Sequence, residues 1–211
     1  MTVTVVLATR NAKKLEEMHR LLVAAGLAIE VRGTDAFADL PEIAETGASF
    51  TENALIKARA VAAHTGLPSI ADDSGLCVDA LNGMPGVRSA RWAGSRASDE
   101  ANVDLVLEQI ADVPDDRRNA HFECSAALVL PTASGGSMSE TVVERRVNGY
   151  LLRQRRGTGG FGYDPVFVPM GHDRTTAEMS PEEKDAISHR GQAMRALLPA
   201  LSALTGAGGG T

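Results

Sequence analysis

Two adjacent carboxylates, Asp72 and Asp73, are the residues of this 211-residue chain that most directly suggest chemistry. They follow the short apolar segment Ser69–Ala71, which we predict to be a buried strand, so both acids are expected to project from its end. Acidic pairs in that position hold hard cations and orient water molecules. An isolated D-D-S-G sequence is also typical of a simple Asx turn. Which interpretation holds depends on the other polar residues that come near.

The segment in front of the two aspartates reads as a helix whose start is marked by Ser49 and Glu52. Their S-x-x-E spacing is that of a capping box, in which each side chain satisfies an amide at the helix start. Apolar residues then recur at three- and four-residue steps, and Gly66 ends the run. Glu45 lies just ahead of the box, and we expect it to come towards the aspartates. The other acids of that loop are expected to be solvated.

A second candidate region is the turn between a predicted first strand, residues 2–8, and the first helix. It carries Thr9, Asn11, Lys13 and Lys14. Helix N-termini present free amides and a partial positive charge, so a hydroxyl, an amide and lysines at that place suit a triphosphate. Taken alone, the turn is better explained by Asn11 as an N-cap and by lysines on a solvated face.

A third candidate region is the glycine-rich stretch RGTGGFGYDP, which begins at Arg156. Its glycines allow the backbone to come close to a ligand, and it is not a Walker loop because no G-K-[ST] follows. Phe161 and Tyr163 could offer flat surfaces to a base, and Asp164 an acceptor. The alternative is a flexible connector. Farther on, a strong helix start at Ser180 precedes three more polar residues, which could equally be surface decoration: Lys184, His189 and Arg190.

The composition limits the class of protein. Apolar residues make up 44% and charged residues 23%, as in ordinary globular proteins, and the formal charge of −6 argues against a general nucleic-acid binder. The two cysteines, Cys77 and Cys124, lack C-x-x-C spacing and are expected to be small core residues. No apolar run has the length of a membrane span, and no targeting signal is visible at the N-terminus. A reduced, cytoplasmic protein is the default expectation.

The order of predicted elements indicates an α/β fold. A strand–helix–strand opening over residues 2–32 predicts a sheet with a right-handed crossover. Two further strands, Ala120–Leu130 and Met138–Val147, are predicted to form a hairpin, and an amphipathic helix follows near the C-terminus. We predict one α/β domain over residues 1–205, with a soft division into two lobes near Asp112–Asn119, and a disordered tail over residues 206–211.

Taken together, these stretches resemble the inosine triphosphate pyrophosphatase family, whose bacterial members, the dITP/XTP pyrophosphatases, remove deaminated purine nucleotides. The resemblance spans nearly the whole chain, and its most specific parts are the D-D-S-G and F-G-Y-D sequences. The matching stretches are T-x-N-x-x-K at Thr9–Lys14, S-F-x-E-N-A-x-x-K-A at Ser49–Ala58, A-D-D-S-G-L at Ala71–Leu76, G-x-P-G-x-x-S-A-R at Gly83–Arg91, G-F-G-Y-D-P at Gly160–Pro165, and E-E-K-x-x-I-S-H-R at Glu182–Arg190.

The resemblance implies a mixed central β-sheet flanked by helices, two lobes with a cleft between them, and a homodimer. It implies a Mg²⁺-dependent reaction in which a purine nucleoside triphosphate and water give the monophosphate and pyrophosphate. Glu45 and Asp73 would hold Mg²⁺, and Asp73 would also be the general base. The implied substrate contacts are Thr9, Arg10, Asn11, Ala12, Lys13, Lys14, Ser74, Phe161, Gly162, Tyr163, Asp164, Lys184, His189 and Arg190.

One departure from the family pattern concerns the first motif. Lys13 stands where a glycine is common, and Arg10 where a small residue is common. Two other functions remain open at this point. One is a nucleotide-binding regulator without catalysis, which could use the same phosphate turn. The other is a Maf-like pyrophosphatase that acts on different nucleotides.

Overall fold

The computed structural model describes residues 2–132 and 137–206. The strands are β1 (Val3–Leu7), β2 (Ile29–Gly33), β3 (Ser69–Val78), β4 (Asn119–Leu130), β5 (Ser139–Leu151) and β6 (Phe167–Pro169). The helices are α1 (Ala12–Ala24), α2 (Phe50–Thr65), α3 (Asp99–Gln109), α4 (Pro181–Ile187) and α5 (His189–Gly206).

The six strands form one mixed sheet in the order β2-β1-β3-β4-β5-β6. β1 is parallel to β2, with Val3 opposite Ile29, and also parallel to β3. β5 is antiparallel to β6. The predicted β–α–β opening and the mixed α/β class are therefore confirmed. Because parallel neighbours need a crossover, α1 and α2 connect the three parallel strands.

The prediction that a strand of three residues ends before Asp72 is wrong. β3 continues for 10 residues, to Val78, and both aspartates lie inside it. A strand can keep two acids in its interior only where cations neutralise them, since an unpaired buried charge costs far too much free energy. Consecutive side chains of a strand point to opposite faces of the sheet. Asp72 and Asp73 are therefore expected to have different partners.

The chain forms two compact units, each built from segments that are distant in sequence. The first contains described residues 2–73, 125–132, 137–144 and 190–206, and the second contains residues 74–124 and 145–189. Strands β3, β4 and β5 each pass from one unit into the other along the chain. The predicted division near Asp112–Asn119 is therefore wrong, because no single boundary separates the units.

Each unit has its own apolar core. In the first unit, Ala54, Ala58 and Ala62 of α2 pack against Ala71 of β3 and against Ala127 and Val129 of β4. These small residues allow helix and sheet to approach closely. The core of the second unit contains Leu76, Val78, Val103, Val106, Ile110, Ala120, Phe122, Leu151, Tyr163, Val166 and Phe167. Both cysteines are buried and free, as predicted for core residues.

Helix boundaries follow the predicted capping residues with one difference. Ser49 caps α2 by accepting the Glu52 amide at 3.1 Å, but the Glu52 carboxylate accepts the amide of Ala48 instead of that of Ser49. At α4 the full capping box of Ser180 and Glu183 is present.

The C-terminal helix α5 extends one residue beyond the predicted domain end, through Gly206. The rest of the predicted tail, residues 207–211, and part of the predicted hairpin loop, residues 133–136, lie outside the described residues. No helix within the described ranges is long and apolar enough to cross a membrane.

Candidate active site

The first polar cluster surrounds Asp73, which is 8% exposed. Lys57 Nζ lies 3.1 Å from Asp73 Oδ1 and 2.9 Å from Glu45 Oε1, so one ammonium group bridges the two carboxylates. Asn53 Nδ2 donates to the other oxygen of Asp73 at 3.1 Å. Asn53 and Lys57 are four residues apart on α2, which places their side chains on one helix face. We call these four residues the Asp73 cluster: Glu45, Asn53, Lys57 and Asp73.

The protonation equilibria of the Asp73 cluster are shifted. Burial raises the pKa of Asp73, and the nearby charge of Glu45 adds to this, while Lys57 opposes it. Burial alone would lower the pKa of Lys57, but the carboxylates of Asp73, Asp72 and Glu45 together raise it. A carboxylate whose pKa is raised from its ordinary value is a stronger base, which suits it to accept a proton from water.

The Asp73 cluster also has the chemistry of a divalent cation site. A positive group already contacts one oxygen of Glu45 and one of Asp73. Mg²⁺ is commonly bound by one or two carboxylates, with water and substrate phosphates as its other ligands. Across residues 2–132 and 137–206, no three His, Cys, Asp or Glu side chains are grouped as a metal site. Glu45 and Asp73 therefore fit Mg²⁺ that is completed by phosphate oxygens and water.

The second polar cluster surrounds Asp72, which is 3% exposed. Lys14 Nζ and Arg190 Nε donate to the same oxygen, Oδ2, at 2.8 and 3.0 Å. Arg190 Nη1 also contacts Glu17 Oε2 at 3.0 Å. These four residues, Lys14, Glu17, Asp72 and Arg190, form the Asp72 cluster, in which two positive and two negative groups balance.

The electrostatics of the Asp72 cluster differ from those around Asp73. Burial by itself would raise the pKa of Asp72, but Lys14 and Arg190 hold it far below its usual range. Burial lowers the pKa of Lys14, although Asp72 opposes this. Asp72 is therefore a permanent anion that holds two cations, and it is a poor proton acceptor.

The turn before α1 uses its own polar groups to start the helix. Thr9 Oγ1 accepts the Asn11 amide at 3.1 Å, and Asn11 Oδ1 accepts the Lys13 amide at 2.9 Å. Asn11 is thus the N-cap that the alternative interpretation predicted. Arg10, Asn11, Ala12 and Lys13 are exposed, whereas Thr9 and Lys14 are half-buried.

In the second unit, the glycine-rich stretch is held by two carboxylates. The Phe161 amide donates to Asp164 Oδ2 at 2.7 Å, and the Gly162 amide donates to Asp99 Oδ2 at 2.7 Å. Lys184 Nζ pairs with Asp164 and lies 4.6 Å from the centroid of the Phe161 ring. These two loop amides are therefore donors to protein carboxylates.

The Tyr163 ring does not offer the flat surface that the sequence suggested. It is 4% exposed and belongs to the core of the second unit, and its hydroxyl donates to the Ser89 carbonyl at 2.9 Å. His189 is half-buried and stacks on Phe122 with ring centroids 4.7 Å apart. Ser74 is half-buried in β3, directly after Asp73.

Comparison with known proteins identifies the family. Residues 5–200 match the model of the Ham1 family. The chain belongs to the Ham1 family. It is 55% identical over 201 residues to the dITP/XTP pyrophosphatase of Streptomyces coelicolor, covering 95% of this chain and 98% of that protein. It is 57% identical over 201 residues to the dITP/XTP pyrophosphatase of Nocardia farcinica, covering 95% of each.

The fold of this Ham1 family chain is also similar to a solved structure. A HAM1 protein from Coxiella burnetii superposes with a TM-score of 0.84 at 44% identity, covering 95% of this chain and 99% of that one. The family resemblance predicted from the sequence motifs is thus confirmed.

Sequence reasoning missed several polar residues of this Ham1 family chain. Asn53 and Lys57 stand inside the S-F-x-E-N-A-x-x-K-A stretch, and their i, i+4 spacing on a predicted helix was a usable signal. The separate partners of Asp72 and Asp73 follow from strand alternation, which assigns the two side chains to opposite faces. Two anchors, Glu17 and Asp99, had no local signal because their partners are remote in sequence.

Proposed function

We propose that this protein is a nucleoside-triphosphate pyrophosphatase that hydrolyses deaminated purine nucleotides, such as ITP, dITP and XTP, to the monophosphate and pyrophosphate. The proposal is carried by the Asp73 cluster, which combines a buried carboxylate of raised pKa, a second carboxylate and a bridging lysine in a chain that matches the Ham1 family over residues 5–200. The relatives named dITP/XTP pyrophosphatase support the choice of substrate.

We assign the proton-accepting role to Asp73. Its carboxylate would take a proton from the attacking water, while Asn53 and Lys57 keep its two oxygens in a fixed orientation. Mg²⁺ held by Glu45 and Asp73 would supply charge neutralisation and polarise a phosphoryl group. Because Lys57 contacts both carboxylates, it keeps the two candidate ligands close to each other.

We assign the substrate contacts within each unit separately. In the first unit, the segment Thr9–Lys14 and Arg190 provide cations and helix-start amides suited to phosphate oxygens. The ammonium group of Lys14 is fixed by Asp72. In the second unit, the contacts with substrate would come from Ser74, Phe161, Lys184 and His189. Gly162, Tyr163 and Asp164 are held by other protein groups and would shape the loop around the substrate.

Discrimination between bases would follow from hydrogen-bonding edges. Hypoxanthine and xanthine present a keto oxygen where adenine has an amino group, so a donor aimed at that position would oppose adenine. A mismatch of this kind can change the specificity ratio by about 10⁴-fold. The Phe161 and Gly162 amides already donate to Asp164 and Asp99. The donor that distinguishes a keto oxygen from an amino group would therefore be a different group of the protein.

We also propose that the protein acts on free nucleotides in the cytoplasm, as a homodimer and without nucleic-acid partners. The net charge of −6 supports a small anionic substrate bound by local cations over a polynucleotide. Light scattering coupled to size exclusion, at several protein concentrations, tests the dimer.

The decisive experiment is a substrate panel with the purified protein and Mg²⁺. Pyrophosphate release is measured with ITP, dITP, XTP, ATP, GTP, dUTP and dTTP, and the nucleoside product is identified as mono- or diphosphate. The proposal predicts monophosphate and pyrophosphate, with ITP, dITP and XTP favoured over ATP by at least about 100-fold in kcat/KM. Preference for the pyrimidine nucleotides would instead support a Maf-like enzyme. Binding without turnover would support a regulator.

A further inference from the structure

The carboxylate of Asp164 lies in the interior of the second unit and is 4% exposed. Thr176 Oγ1 donates to Asp164 Oδ1 at 2.8 Å, and the Phe161 amide donates to Oδ2 at 2.7 Å. Lys184 Nζ also pairs with Oδ2. Both carboxylate oxygens therefore accept hydrogen bonds from protein donors. Asp164 is suited to position its neighbours and less suited to bind a ligand directly.

Asp164 fixes two groups that the proposed function places on the substrate. The backbone of Phe161 is held through its amide, and the ammonium of Lys184 is held over the Phe161 ring at 4.6 Å from the centroid. One carboxylate thus sets both the ring and the cation. A displacement of this carboxylate would move both groups together.

Thr176 is placed to set the orientation of that carboxylate. It is 5% exposed and begins a short 3₁₀ turn, Thr176–Glu178, whose start is fixed by a capping box between Thr175 and Glu178. The Ala177 amide donates to the Asp164 carbonyl at 3.3 Å, and the Gly159 amide donates to the Ala177 carbonyl at 2.9 Å. The turn is therefore attached to the glycine-rich stretch on both sides of Phe161.

Close packing at Gly160 leaves the Asp164 carboxylate no room on that side. A Cβ at Gly160 would overlap Asp164 Oδ2, and the φ of this glycine is +72°. The side chain of Asp164 is thus bounded by the backbone at Gly160 and by the Thr176 hydroxyl. Loss of the hydroxyl would leave Oδ1 buried without its donor, and the carboxylate would have to rotate towards water or another donor.

We infer that Thr176 is a positioning residue for the nucleotide-binding loop. Its hydroxyl holds Asp164, and Asp164 in turn holds Phe161 and Lys184 in the arrangement that receives the substrate. The part of this inference that concerns nucleotide affinity rests on the proposed function. The positioning itself is a property of the free protein and can be tested without substrate.

The kinetic test compares Thr176→Val, which keeps the shape and removes the hydroxyl, with Thr176→Ser, which keeps the hydroxyl. For Thr176→Val we expect the KM for ITP to rise about ten-fold, because the hydrogen bond to the charged Asp164 carboxylate is lost. We expect kcat to change by less than about three-fold, because Asp73, the proposed base, is not altered. Thr176→Ser is expected to restore most of the affinity. Thr65→Val removes a hydroxyl bond to the Val61 carbonyl in the first unit and serves as the matched control.

A double-mutant cycle with Lys184→Gln separates positioning from general weakening of the fold. If Thr176 acts through Asp164 on Lys184, adding Thr176→Val to Lys184→Gln will raise the KM by less than about three-fold. Effects that simply multiply would overturn the inference. A KM unchanged within two-fold in Thr176→Val would also overturn it.

A readout without nucleotide keeps this inference distinct from the proposed function. The chain has five phenylalanines, so ¹⁵N-phenylalanine labelling gives a simple amide spectrum in which Phe161 can be assigned by mutation. Thr176→Val should shift the Phe161 resonance, whereas Thr176→Ser should not. If that shift occurs but the wild-type protein does not hydrolyse ITP, the proposed function fails and the positioning stands. If the wild type is active and neither resonance nor KM changes, the positioning fails alone.

Discussion

Asp72 and Asp73 show how far two identical neighbours can differ. The pleat of β3 sends them to opposite faces, so Asp73 meets Glu45, Asn53 and Lys57 while Asp72 meets two cations. Burial raises the pKa of Asp73, and ion pairs lower that of Asp72 in spite of burial. Only Asp73 therefore has the character of a base, although the sequence gives both the same side chain.

Replacing Asp73 with Asn tests this distinction. The amide keeps the shape and can still contact Lys57, but it cannot accept a proton from water. We expect kcat for ITP to fall by about 10²- to 10⁴-fold, with the affinity for ITP changed by only a few-fold. Pyrophosphate release and isothermal titration calorimetry measure the two quantities. Asp112→Asn, at an exposed position, is the control, and near-full turnover by Asp73→Asn would remove Asp73 from the chemistry.

Cys77 gives a second prediction at this scale, which concerns reactivity. Burial raises the pKa of its thiol to about 11. At this pKa the thiol stays protonated at pH 8, where a free cysteine is partly thiolate. Alkylation of Cys77 should therefore be about two orders of magnitude slower than alkylation of a free cysteine at that pH. The rate should increase as the pH rises towards 11. Thiol titration of native and denatured protein measures this, and fast native labelling at Cys77 would contradict it.

Much of the candidate site could be predicted as single residues. Glu45 and Asp73 were expected to come together, and the structure brings both to one lysine. What the sequence could not supply was the pairing itself, because Arg190 and Glu17 are 173 positions apart. Charges that find partners through the tertiary fold leave no local pattern.

At the scale of elements, β3 departs most from its sequence pattern. The apolar run Ser69–Ala71 stops at two acids, so local hydrophobicity predicts that the strand ends there. In the structure the strand continues to Val78, and ion pairs with cations from other parts of the chain neutralise both acids. By contrast α2 and α4 have start signals in their own sequences, and both begin where Ser49 and Ser180 predict. Helix caps are local interactions, whereas the length of a buried strand depends on its neighbours.

At Gly75, the backbone of β3 packs closely against the turn formed by residues 86–91. A Cβ there would overlap the carbonyl of Gly86 and the side chain of Ser89, whose hydroxyl accepts the Leu76 amide at 2.9 Å. We expect Gly75→Ala to lower the free energy of unfolding by about 1–3 kcal/mol, because the backbone of the 86–91 turn must shift. Urea unfolding measures the change. Gly206→Ala, where a Cβ meets nothing within 4 Å, should have little effect.

At the scale of the whole molecule, the two units are interleaved along the chain. Each unit contains segments that precede β4 and β5 in the sequence and segments that follow them. A domain boundary therefore cannot be found as a change of composition along the chain. Recognition of the family succeeded because its motifs are short and lie in both units. The sheet order β2-β1-β3-β4-β5-β6 joins strands that are distant in sequence, so no single stretch encodes it.

The Mg²⁺ site proposed at the Asp73 cluster predicts a link between global stability and metal binding. Lys57 Nζ neutralises Glu45 and Asp73 when no metal is present, so the wild-type protein should remain folded in EDTA even though turnover stops. Lys57→Met would remove the ammonium group that contacts both carboxylates. We expect it to lower the free energy of unfolding by about 2–4 kcal/mol in EDTA, since the pair is largely buried.

Mg²⁺ should then substitute for the missing ammonium. A ligand that binds only the folded state stabilises it in proportion to its affinity, and removal of a competing cation increases that affinity. The increase in Tm on adding Mg²⁺ should therefore be larger for Lys57→Met than for the wild type. Arg59→Met, on the same helix, breaks a surface pair with Glu140 and should leave the Mg²⁺ response unchanged. Equal Mg²⁺ responses in all three proteins would mean that Glu45 and Asp73 do not share the ion.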